Sequence, residues 1–328
     1  MRMRRRDVIA GLTGAALWPA VARAQQASLP VIAYINARSA QSDAPFVAAF
    51  RLALGEQGFV EGKDVLIESR WADNDQSRIP SLAGDLIKRK PAVIVTGGGA
   101  VVALAVNKLT TSIPIVFITG ADPIKLGLVT SISRPTGNIT GVSFLATEIV
   151  AKRLDLLGEF VPKARAIAVL VNPNNPDRAS MSRDLEQAER TAKFSLKIFQ
   201  ASNESEIDKA FAEMARQNID ALLIGGDNYF NSVRRKLAAL ALRQSLPAMF
   251  DFREFAAEGG LMSYGASQTE AYRQGAVYVG RVLRGTKTVD LPVIQSTRFE
   301  LIINLTTAKA LQLEVPTKLM ALADEVIE

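Results

Sequence analysis

Short apolar runs rich in Val and Ile alternate with stretches whose apolar residues recur every three or four positions, the pattern of strand–helix units around a parallel sheet. In the first half this predicts strands over Val31–Ile35, Val65–Ser69, Val93–Thr96 and Ile115–Phe117. Helices are predicted between them over Pro45–Gln57, Arg78–Lys88 and Val101–Leu109. In the first of these, Phe46, Phe50 and Leu54 fall on one face, and Gly58 and Gly62 punctuate its end. Continuously apolar strands such as Val93-Ile94-Val95 suit a sheet covered on both faces.

Arg134-Pro135-Thr136-Gly137-Asn138 is a turn-rich break, after which the pattern restarts. Strands are predicted over Ala166–Val171, Leu196–Gln200, Ala221–Ile224, Ala248–Phe250 and Leu261–Ser263. Helices are predicted over Ser180–Lys193, Glu204–Gln217 and Ser232–Gln244. The fold class is therefore α/β, with two doubly wound, Rossmann-like parallel-sheet lobes. Ligands bind outside the carboxyl ends of parallel strands, so two facing lobes make a cleft for a small molecule.

The N-terminus reads as an address. Arg2, Arg4, Arg5 and Arg6 precede an apolar, small-residue stretch from Val8 to Val21, which ends in Ala22-Arg23-Ala24. Basic, then apolar, then small is the order of an export signal. The apolar part falls short of the roughly 20 residues of a membrane span. Arg5-Arg6-Asp7-Val8-Ile9 resembles a twin-arginine signal, which implies export as a folded protein; an ordinary secretory signal is the alternative. Cleavage is expected after Ala24, leaving a soluble periplasmic protein. With no Cys in the chain, no lipid anchor is expected.

Composition narrows the chemistry. The 328 residues contain no His and no Cys. Disulfides, thiol nucleophiles and imidazole bases are excluded, and no metal or cofactor is expected. Formal charge is +6, but residues 1–24 carry five Arg and one Asp, so only +2 lies beyond them. No basic stripe remains for nucleic acid, and none is expected as a partner.

Candidate binding residues follow from the strand ends. Gly98, Gly99 and Ala100 join a strand to a helix, where close backbone approach and free N–H groups suit a carboxylate; a tight turn without ligand is the alternative. Val102 stands where a dinucleotide fingerprint needs glycine. Asp122, in Gly120-Ala121-Asp122-Pro123, either holds a ligand amine or caps the next helix. Gly225–Phe230 offers Asp227 and Asn228 as hydrogen-bonding groups and Tyr229 or Phe230 as an apolar cover, against a capped loop with core aromatics. Asn172, in a run of Asn and Pro, is a ligand group or a turn former. Asn36 and Ser39 after the first strand, and Tyr264 after the predicted strand Leu261–Ser263, complete the set.

Taken together, several segments resemble the periplasmic solute-binding proteins of ABC transporters, in the tryptophan/tyrosine-type group. They are Gly58-Phe59-Val60-Glu61-Gly62, Ile113-Pro114-Ile115-Val116-Phe117, Gly120–Leu128, Asn138-Ile139-Thr140-Gly141-Val142, Gly259–Gly265 and Phe299–Lys309. Two places depart from that pattern: Thr136 replaces a usual glycine, and Gly-Gly-Asp-Asn-Tyr-Phe replaces an Asp-Pro-aromatic loop. The resemblance implies a type I periplasmic binding protein, its lobes joined by a three-segment hinge near Thr140–Ser143, Gly265–Thr269 and Leu291–Gln295. Lobe 1 would hold 30–141 plus 268–290, and lobe 2 would hold 142–267 plus 291–328. Helix Ala271–Leu283 would return to lobe 1 and strand Phe299–Asn304 to lobe 2. The expected function is capture of an amino acid, aromatic acid or carboxylic acid for a membrane ABC permease with its ATPase, by a monomer. The alternative is a ligand sensor for a membrane kinase or chemoreceptor. An exported enzyme using Lys125 and Asp122 is a third reading, which a surface ion pair explains better.

Overall fold

A computed structural model describes residues 29–144, 149–190, 192–296 and 298–328. The expected export signal, residues 1–24, lies outside the described residues.

Thirteen strands form two sheets among the described residues. In chain order they are β1 Val31–Asn36, β2 Leu66–Trp71, β3 Val93–Gly97, β4 Ile115–Thr119 and β5 Ile139–Ser143. Then come β6 Ala166–Val171, β7 Ser195–Gln200, β8 Ala221–Ile224, β9 Ala248–Phe250 and β10 Met262–Gly265, followed by β11 Ile294–Gln295, β12 Glu300–Asn304 and β13 Glu325–Ile327. The first sheet runs β11-β5-β4-β3-β1-β2 and is parallel throughout. The second runs β13-β12-β10-β9-β8-β6-β7, with β12 antiparallel to β10. Both lobes are α/β as predicted. β3 and β4 are buried along their whole length, because helices cover both faces.

The chain changes sheet three times, after β5, after β10 and after β11. Helix Gln268–Leu283 returns to the first lobe and stacks Tyr272 on Phe46, with ring centroids 5.2 Å apart. The expected lobe boundaries shift accordingly: the first sheet extends through Ser143, and Ile294–Gln295 belongs to it rather than to the second lobe. The Arg134–Asn138 turn leads into β5 inside the first lobe and is not a hinge.

β5 escaped the strand prediction because Ile-Thr-Gly-Val-Ser lacks an apolar run. It is nevertheless fully buried. Gly141 makes this possible: a Cβ there would lie 2.1 Å from the Phe117 carbonyl oxygen on the neighbouring strand. Thr140 Oγ1 donates to the Leu291 carbonyl at 2.6 Å, and Ser143 Oγ to that of Ala121 at 2.9 Å, so buried hydroxyls stay paired. The first helix starts at Ala40, earlier than predicted, because Ser39 caps it by accepting from Ser42 N, and Pro45 is accommodated inside. The helix predicted over Ser232–Gln244 forms over Arg234–Arg243, and a short helix not predicted, Asn228–Ser232, precedes it.

Candidate functional site

A cleft open to solvent at its rim lies where the carboxyl ends of the two sheets face each other. The first lobe contributes Ala37 after β1, Asn74 and Gln76 after β2, Gly98–Val101 after β3, Thr119–Ala121 at the end of β4, and Phe144 after β5. The second contributes Asn175–Asp177 after β6, Gly226–Tyr229 after β8, and Asp251 and Phe252 after β9. Phe144 and Phe252 meet edge to face, with ring centroids 5.7 Å apart.

Of the predicted site residues, Gly98, Gly99, Ala100, Asp227, Asn228 and Tyr229 come together in this cleft. Gly98 and Gly99 have φ of +71° and +108°, a region that favours glycine. They set the start of the Ala100–Leu109 helix on the cleft wall.

Asp227 serves two ends. Its Oδ1 accepts from Tyr229 N at 2.9 Å and Phe230 N at 3.3 Å, capping the short helix, and from Asn172 Nδ2 at 3.0 Å. Burial raises its pKa, against the pull of these donors. The Tyr229 hydroxyl is buried without a hydrogen-bond partner. Burial, with Glu204 and Asp227 nearby, pushes it up to about 12, so it stays a neutral donor. Phe230 turns into the core instead.

Five predicted residues do not line the cleft. Asn36 lies fully buried beneath it, donating through Nδ2 to Asp43 Oδ1 at 2.8 Å and to Tyr272 Oη at 3.1 Å. Ser39 is the helix cap already described. Asp122 caps its own turn: Oδ1 accepts from Ile124 N at 2.8 Å and Lys125 N at 3.2 Å. Asn172 is spent on Asp227 and on Asn174 N. Tyr264 packs beside Phe299 in the second lobe, because the antiparallel β12 covers it there.

Asp251 was missed, and its chemistry is the most informative in the cleft. It is 1% exposed, and among the described residues neither carboxylate oxygen has a hydrogen-bond partner. Burial pushes it up to about 7, with Glu254 and Asp227 adding to the rise and Arg153 opposing it. Arg153 is itself buried, held by its Nε donating to the Tyr264 carbonyl at 2.7 Å, and burial lowers it to about 10. An acid directly after the apolar run Ala248–Phe250 was the available signal. Asp177, Asp227 and Asp251 line the cleft, and no Lys or Arg is among its lining residues. Among the described residues no cluster of three or more His, Cys, Asp or Glu is placed to hold a metal.

The profile of the family described as ABC transporter substrate binding protein matches residues 31–327. A tyrosine-binding protein of Clostridioides difficile (strain R20291) is 27% identical over 266 residues, 81% of this chain and 76% of that protein. A conserved domain protein of Vibrio cholerae superposes with a TM-score of 0.83 at 23% identity, covering 90% of this chain and 99% of that one. An ABC domain from Streptococcus pneumoniae in complex with L-Trp gives 0.82 at 22% identity, covering 92% and 100%. These superpositions identify the type I periplasmic binding protein fold. With a match over nearly its whole length, the chain belongs to the ABC transporter substrate-binding protein family.

Proposed function

We propose that this protein captures an amino acid with an aromatic side chain in the inter-lobe cleft, in the periplasm, and presents it to a membrane ABC permease and its ATPase. The single observation that carries the reading is Asp251: a buried carboxylate on the cleft wall with no hydrogen-bond partner among the described residues. Leaving such a group unpaired is costly, and a ligand ammonium supplies the missing charge and donors. Three lining carboxylates without a lining cation disfavour simple acids and select solutes that carry an amine.

The other contacts are consistent with this choice. The ligand carboxylate meets the N-terminus of the Ala100–Leu109 helix, where backbone N–H groups and the helix dipole attract anions. Tyr229, Phe144 and Phe252 offer aromatic surface to the ligand body. The tyrosine-binding relative and the L-Trp complex point to the same class. Contacts from both lobes favour the closed form, which is the state offered to the permease. The protein acts as a monomer after removal of residues 1–24.

Thermal shifts of residues 25–328, refolded to strip carried-over ligand, test this. L-tyrosine, L-tryptophan or L-phenylalanine at ~100 times its Kd adds about 2.7 kcal/mol, a rise of ~2–4 °C. 3-Phenylpropionate, which lacks the amine, gives none. A shift with simple acids and none with amino acids overturns the reading.

A further inference from the structure

Arg38 does not line the cleft, yet one of its nitrogens ties together the parts of the protein that must move. The residue follows β1 and is 2% exposed. Its Nη2 donates to Asn228 Oδ1 at 3.2 Å and to Gln268 Oε1 at 2.8 Å. Asn228 stands on the second-lobe wall of the cleft. Gln268 opens the helix that follows the second crossing, and it also accepts from Asn231 Nδ2 at 3.2 Å. Asn228 is thus held at its oxygen by Arg38, while its Nδ2 abuts Gly99, where a Cβ would lie 2.1 Å away. Both contacts run from first lobe to second, and rotation about the hinge breaks both.

We propose that Arg38 is a positioning residue of the binding cleft that acts through Asn228, clasping the second lobe in the closed form and so lowering the closing free energy that the ligand must supply. This rests on the solute-binding function proposed above. A hydrogen bond from a guanidinium is roughly twice as strong as a neutral one, and a cation buried at a lobe interface feels little solvent screening. The burial is costly as well, because among the described residues Nε and Nη1 have no hydrogen-bond partner. The Phe46 ring, 4.7 Å from the guanidinium carbon, and the Asp43 carboxylate offset part of that cost within the first lobe. Those two partners stay with Arg38 when the lobes separate, whereas Asn228 leaves. The clasp therefore contributes only to the closed state. Apparent affinity scales with the fraction of protein that is competent to close.

Two measurements on ligand-stripped mature protein test the clasp. Arg38→Met keeps the length and packing of the side chain on Phe46 and removes the charge and donors; Asn228→Ala removes the acceptor instead. Small-angle X-ray scattering without ligand is expected to show a larger radius of gyration for each variant than for the wild type. Calorimetric titration with L-tyrosine, L-tryptophan and L-phenylalanine is expected to show Kd raised about tenfold by Arg38→Met. The rise is alike for each probe, so their order is unchanged, because Arg38 does not touch the ligand. Should Arg38→Met fail to fold by circular dichroism, the scattering of Asn228→Ala decides. Three results overturn the clasp: scattering and Kd both unchanged within twofold, tighter binding, or a reordered preference among the probes. Failure of the wild type to bind any probe speaks against the amino-acid reading instead. The scattering comparison then judges the clasp alone, and superimposable curves reject it.

Discussion

Gly265 and Asp251 meet backbone to backbone: a Cβ on Gly265 would lie 1.8 Å from the Asp251 carbonyl oxygen. Asp251 supplies the unpaired carboxylate of the cleft, and Gly265 ends β10 just before the chain crosses back to the first lobe. The cleft acid and the second hinge strand are therefore in direct contact. Gly265→Ala must force these backbones apart, at a cost of about 1–3 kcal/mol of overpacking strain. A lower melting temperature and weaker ligand binding are expected together. A variant with wild-type melting and wild-type affinity would show that the contact relaxes without consequence.

Asp251 should make both stability and binding depend on pH, with opposite signs. Its carboxyl titrates near 7 in the folded protein, against an ordinary value of 3.8. Between about pH 4 and 7 the ligand-free folded state holds a proton that the unfolded chain has released. Stability from this group is therefore greatest below that window and falls as pH rises through it, by on the order of a few kcal/mol. Asp251→Asn, which carries no charge, should melt above the wild type at pH 8 and close to it at pH 4. An amine ligand needs the ionised carboxylate, so its affinity should fall by up to tenfold per unit as pH drops below about 7. Asp251→Asn should bind more weakly at pH 8 and lose this slope. Calorimetric titration between pH 5 and 8 measures both effects, and a flat wild-type profile would remove Asp251 from the binding reaction.

Asp43 holds three side-chain donors in the first lobe. Its Oδ2 accepts from Tyr34 Oη at 2.7 Å and Trp71 Nε1 at 3.0 Å, and its Oδ1 from Asn36 Nδ2. Asp43→Ala leaves the Tyr34 hydroxyl and the Trp71 indole N–H without an acceptor, while Asn36 keeps Tyr272, and a loss of about 2 kcal/mol or more is expected from urea unfolding. The only other tryptophan is Trp18, so Trp71 is the sole indole beyond residue 24. Its emission should change with the variant, and unchanged emission would mean that the network reforms without Asp43.

Gly99 and Gly58 separate backbone strain from lobe closure. Both have positive φ, +108° and +84°. A Cβ at Gly58 meets nothing within 4 Å, whereas one at Gly99 meets Asn228 across the cleft. Gly58→Ala and Gly99→Ala should each lose about 1 kcal/mol of stability or somewhat more, from the positive φ. Only Gly99→Ala should weaken ligand binding, by tenfold or more, because the added methyl obstructs closure. Equal affinities in the two variants would argue against the lobes meeting at this point.

Much of the cleft was legible one strand at a time. Gly98–Ala100 and Asp227–Tyr229 were found because glycine and polar residues directly follow apolar strands, and strand ends face ligands in doubly wound sheets. The same logic picked Asp122 and passed over Asp251, although both are acids after an apolar strand. What separates them is local supply. The turn at Asp122 offers two backbone N–H groups that occupy its carboxylate, whereas among the described residues the Asp251 carboxylate oxygens have no hydrogen-bond partner. Tyr264 was read as a cleft residue because it ends a strand at a crossover, but its ring packs beside Phe299 against the second-lobe core.

The sequence by itself determined the α/β class, the two strand–helix series, the absence of thiol and imidazole chemistry, and the family. All of these depend on local periodicity, composition or short motifs. The tertiary structure alone decided which elements share a lobe, since β11 joins the first sheet by pairing Ile294 with Val142 of β5, far away in the chain. It also decided the fate of Arg38 and Asp251. A charged side chain is ordinarily exposed. Whether it is buried, and with what, depends on atoms brought to it from distant parts of the chain, such as Asn228 and Gln268 around Arg38. No local pattern carries that information, because the free energy of a buried charge is set by its three-dimensional surroundings.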